Sequence, residues 1–109
     1  VLLHETPFET PLAAVRWAIT VRELGQFGGR TRGGGGAPRP CEPADVFAVI
    51  RMLAFRNQLR PIDLEVLEAA AFGRPHPGAN AERWDHIDRL LRFHLERKMI
   101  VRPQVTDAA

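Results

Sequence analysis

Four histidines, two nearby aspartates, one cysteine and a glycine-rich run are the residues here that could do chemistry. His86 and His94 lie eight apart in "AERWDHIDRLLRFHLERKM", about 12 Å along a helix, too far to share one metal ion, and neither begins a His-Glu-x-x-His pattern. His94 reads as a residue at the edge of the core, bonded to backbone; His4 and His76 lie in proline-containing sequence. Asp85 and Asp88 share a helix side with Arg89 and Arg92, a spacing that makes surface ion pairs more readily than a pair of catalytic carboxylates. The single cysteine, Cys41, can form no internal disulfide and cannot hold zinc alone. With no nucleophile, base and orienting group in series, no enzyme, metal or cofactor is expected.

The run "GQFGGRTRGGGGAPRPC", residues 25–41, holds seven of the nine glycines and three arginines. A phosphate cradle would present backbone N–H groups between a strand and a helix, but this run follows a helical pattern and has no Gly-Lys-Ser/Thr step. It is similar to arginine–glycine segments that bind RNA, but without interleaved aromatics. Residues 25–42 therefore read as a flexible Gly/Pro-rich connector inside a single domain spanning 1–109.

The elements around these residues are helical. "TPLAAVRWAITVREL" opens with Thr10 as a cap and Pro11 in the first turn; its two apolar stripes, Leu12, Val15, Ile19 and Trp17, Val21, Leu24, predict a central helix with neighbours on two sides. "PADVFAVIRMLAFRNQL" puts Val46, Phe47, Ile50, Leu53 and Ala54 at helical spacing, with a bend at Arg60 before Pro61. Ile62, Val66, Leu67 and Ala70 predict a short third helix stopped at Gly73. Asn80 caps the last and longest pattern, which runs through Met99; its stripe of Trp84, Ile87, Leu91 and Leu95 should pack on Val46, Ile50 and Leu53. "MIVRPQV" reads as a short extended piece. The expectation is an all-α, four-helix small domain with a short terminal extended segment.

At 109 residues and 45% apolar, the chain can build one core. No run approaches a membrane span, and the acidic, proline-broken start does not read as a secretory signal, so a cytoplasmic protein is expected, with no membrane partner. The net charge of +2 is too small to act as a general polyanion field, so local distribution decides. Residues 46–62 carry Arg51, Arg56 and Arg60 with no acid, and residues 89–102 carry five bases against Glu96 alone.

"IDRLLRFHLERKMIVRP" resembles the end of winged helix-turn-helix DNA-binding domains, where a helix with spaced leucines passes through a charged turn into a basic strand. The resemblance implies a helix-turn-helix-like C-terminal unit in which Arg89, Arg92 and Arg97 face DNA and Arg102 lies on the wing. The functional expectation is a small DNA-binding transcriptional regulator contacting nucleic acid through Arg51, Arg56, Arg60, Arg89, Arg92, Arg97, Lys98 and Arg102. The alternative is a protein–protein adaptor or homodimerising module, for which Phe93, off the main stripe, is the contact candidate. A third reading is a helical enzyme subunit completed by a partner.

Overall fold

The computed structural model describes residues 6–26 and 41–103. The described residues form four helices: α1 Pro11–Gln26, α2 Pro43–Phe55, α3 Pro61–Ala71 and α4 Ala81–Arg97. Most of the expected connector, residues 27–40, lies outside the described residues. Each helix starts where its polar residues can satisfy backbone donors left without intrahelical partners. Thr10 Oγ1 accepts from the Ala13 N–H at 3.1 Å and Asn80 Oδ1 from the Arg83 N–H at 2.7 Å. At α2 and α3 the bond runs backwards: Glu42 N–H donates to Asp45 Oδ2 at 2.8 Å, and Arg60 N–H to Asp63 Oδ2 at 2.9 Å. Proline occupies the first position of α1, α2 and α3, where its missing donor costs nothing.

Three of the helices end in one geometry. After α2, α3 and α4 the chain turns through a left-handed residue, Asn57 (φ 59), Gly73 (φ 69) and Met99 (φ 60). The next N–H reaches back five residues in each case: Gln58 to Leu53 O, Arg74 to Ala69 O, Ile100 to Leu95 O. These are Schellman closures. They account for two differences from the sequence reading. The α2 pattern was expected to run on to a bend at Arg60, but Asn57 closes the helix at Phe55, leaving residues 56–60 as a turn. The α4 pattern was expected through Met99, which instead is the closing residue of a helix that stops at Arg97.

The core forms where all four helices meet. α1 packs against α2, α3 and α4, and it does so through Ala14 and Ala18, both fully buried, alongside Val15; small side chains let the helix axes approach. Ile87, Leu91 and Leu95 of α4 and Val46 and Leu53 of α2 are buried as their stripes require, whereas Trp84 and Ile50 are half-buried and Val49 takes the inner place on α2. The extended piece after α4 makes an isolated parallel bridge between Val101 and Phe8. Phe8 N–H donates to Ile100 O, and Arg102 N–H to Phe8 O, both at 2.8 Å. Phe8 is buried with its ring 5.2 Å from that of Trp17.

Candidate binding site along the fourth helix

The polar and apolar residues of α4 sort into three stripes. The first, Ile87, Leu91 and Leu95 with Trp84 beside them, is the core face. The second is a ladder of i,i+4 ion pairs. Arg89 pairs with Asp85, while Arg92 reaches Asp88 at 3.4 Å and Glu96 at 3.5 Å, its side chain only 15% exposed. The third, His86, Leu90, Phe93 and Arg97 with His94 at its edge, follows the i, i+4, i+7, i+11 rows of one face. It is neither core nor self-neutralised.

The turn at 56–60 faces this third stripe. The His86 Nε2–H donates to Gln58 O at 2.9 Å, which ties the turn to the helix and leaves Nδ1 as the acceptor in the neutral ring. Between turn and helix lies an open groove of about 600 Å³, lined by Asn57, Gln58, Arg60, His86 and Leu90 and by the first turn of α4. The side-chain amides of Asn57 and Gln58 make no hydrogen bond among the described residues. Asp63, on the groove floor, is 4% exposed; beyond the Arg60 N–H, its second oxygen lies 3.6 Å from Arg83. Arg83 also donates to Gly78 O at 3.1 Å. That carboxylate is therefore balanced from within, and Glu82 is the exposed acid at the groove rim.

Towards the C-terminal end of α4 the third stripe turns basic and aromatic. Phe93 is 55% exposed, meets His94 edge-on with ring centroids 5.0 Å apart, and lies 5.2 Å beneath the Arg97 guanidinium, a cation–π distance. Burial and, after it, the charges of Arg56, Arg97 and Lys98 push the His94 imidazole below its ordinary value. Both causes disfavour the charged ring. Arg56, Arg97 and Lys98 have no carboxylate partner among the described residues. Beside them stand Phe55, 90% exposed, and Met99, 74% exposed.

The eight cations named from sequence thus fall into two sets. Arg51, Arg56, Arg60, Arg97 and Lys98 are exposed and form no ion pair among the described residues; Arg51 shares the outer side of α2 with Phe55, four residues on. Arg89, Arg92 and Arg102 are engaged by their own chain, the last with Glu9 at 3.1 Å. Arg102 sits on the bridge to the N-terminal segment. The histidines differ from the expectation in one respect. His86 makes the backbone bond foreseen for His94, and the His94 ring makes no hydrogen bond among the described residues. His76 closes its loop: Nδ1 accepts from the Gly78 N–H at 2.8 Å, so the neutral ring donates from Nε2 to Glu65 at 3.1 Å. Phe55, Asn57, Gln58 and Met99 escaped sequence reading. Phe55 carried a usable signal, because it falls opposite the Val46, Val49, Leu53 side of α2.

Among the described residues no group of three His, Cys, Asp or Glu could hold a metal ion, and no helix is long and apolar enough to cross a membrane. A scan against protein-family models, a search of curated proteins and a search of solved structures find no match to this chain.

Proposed function

We propose that this protein is a small DNA-binding regulatory domain that takes its ligand along the third stripe of α4. One observation carries the reading: the charges of Arg56, Arg97 and Lys98 all act on His94, and none of the three has a carboxylate partner among the described residues. Like charges gathered on one surface repel, and an anionic partner relieves that repulsion. The order α2, turn, α3, loop, α4 is compatible with a helix-turn-helix-like unit. The first turns of α4, however, carry Glu82 and Asp85, so contact through backbone phosphates at the C-terminal end of α4 fits better than insertion of its N-terminus into a groove.

Phosphate contacts release counterions, so the test is the salt dependence of binding. Labelled DNA, offered as single strand and as duplex, should bind saturably at about 50 mM salt, with affinity falling steeply by about 200 mM. Arg56→Ala and Arg97→Ala should each lower the log–log slope by about 0.7 to 0.9 while leaving thermal unfolding unchanged. Absence of binding to either form at the lower salt sinks the reading. Phe55 and Met99 favour a second reading, an adaptor or homodimer, because phosphate contacts have no use for them. Its signature is self-association or partner binding that persists at high salt and is lost in Phe93→Ala.

A further inference from the structure

We propose that the nucleic acid taken at this site is single-stranded, its bases stacking on Phe93 and entering the groove between α4 and the 56–60 turn. The inference rests on the DNA-binding reading and narrows it by what surrounds the cations. A duplex offers a side surface phosphate and sugar, with every base face already stacked. Phe93, more than half exposed with Arg97 over its ring and His94 at its edge, would then keep the open part of that ring in water. An unpaired base covers it, and such stacking is tolerant of sequence.

The groove points the same way. Its volume, about 600 Å³, lies within the range of small-molecule clefts, roughly 300 to 1,000 Å³, which leaves room for an unstacked base. The unengaged amides of Asn57 and Gln58 offer donors and acceptors of the kind that pair with base edges. Charge sets the path. Along α4 the stripe from His86 to Arg97 rises through eleven residue steps, about 16 Å, and its cations lie at the C-terminal end, whereas Glu82 and Asp85 mark the other. A flexible single strand can place its phosphates by Arg56, Arg97 and Lys98 and keep them away from those acids; the second strand and stiffness of a duplex remove that choice.

The experiment is fluorescence anisotropy on the full chain with a labelled oligothymidylate of about twelve nucleotides, within the site sizes such proteins cover, and with a hairpin duplex of matching length. The single strand should bind at least about tenfold tighter at about 50 mM salt. Phe93→Ala should weaken it roughly 5- to 100-fold, the loss of one stacked base, without changing the salt slope. Phe93→Trp should restore binding, and its added emission should be quenched by the strand. Equal or tighter duplex binding with Phe93→Ala silent and a steep salt slope overturns the single-strand inference and leaves DNA binding standing. Failure of both DNAs to bind at low salt removes both. Saturable binding of polyglutamate in place of either DNA assigns the surface to an acidic protein and overturns both as well.

Discussion

His94 shows how one residue can report on its whole neighbourhood. Its side chain is half-buried against Phe93 with Arg56, Arg97 and Lys98 around it, and burial together with those charges lowers its proton affinity. In the unfolded chain the ring returns to about 6.5. Above that pH the ring is neutral in both states and the fold has its full stability. Below it the unfolded chain takes up the proton first, so stability declines until the lowered folded value is passed. The melting temperature should therefore fall as the pH drops below about 6.5, and His94→Gln should flatten part of that fall; identical pH profiles for the two proteins would show that the imidazole is not held neutral. The sequence around "FHLERK" supplies two of those charges, Arg97 and Lys98, but neither the burial nor the third charge. The decisive charge, Arg56, lies 38 positions away.

At the scale of the helices, periodicity and caps made most of the fold legible. Thr10, Pro11, Pro43, Pro61 and Asn80 act locally, so their meaning survives without tertiary context, and the Ile87, Leu91, Leu95 stripe is recognisable because it repeats. What the pattern could not show was which off-stripe residues lie open. Phe93 on α4 and Phe55 on α2 are equally off-stripe, and only the placement of neighbouring helices leaves both exposed. Gly73 was legible as the left-handed stop of α3, but the ends of α2 and α4 were the other blind spot; methionine in particular is not a residue expected in the left-handed region. Holding it there costs roughly 1 to 2 kcal/mol. Met99→Gly removes that strain but loosens the unfolded chain, at a cost of about 0.4 to 1 kcal/mol. The net expectation is a gain of about 0.5 to 1 kcal/mol, seen as a higher urea midpoint at constant slope. A loss instead would mean that the Met99 side chain carries a contact the closure needs. A gain in stability with weaker ligand binding would place Met99 on the working surface, where strain is retained for function.

Across the whole molecule, one clasp ties the N-terminal segment to the four-helix core and to the end of α4. Phe8 lies beside Val101, immediately beyond the turn that closes α4, and its ring packs on Trp17 of α1. The clasp thus links the central helix to the end of the helix that bears the candidate site. Phe8→Ala should cost about 3 to 5 kcal/mol, and hydrogen exchange at the Arg102 amide, which donates to Phe8 O, should quicken by more than the global destabilisation explains. Uniform quickening across all four helices would show that the clasp opens only with the whole fold. The bridge is parallel, and this has a mechanical consequence. A pull on the two flanking segments drags Phe8 and Val101 in opposite senses along their shared axis. Its two hydrogen bonds are then loaded together, in shear, rather than unzipped in turn. The resistance they offer stands between an applied force and α4.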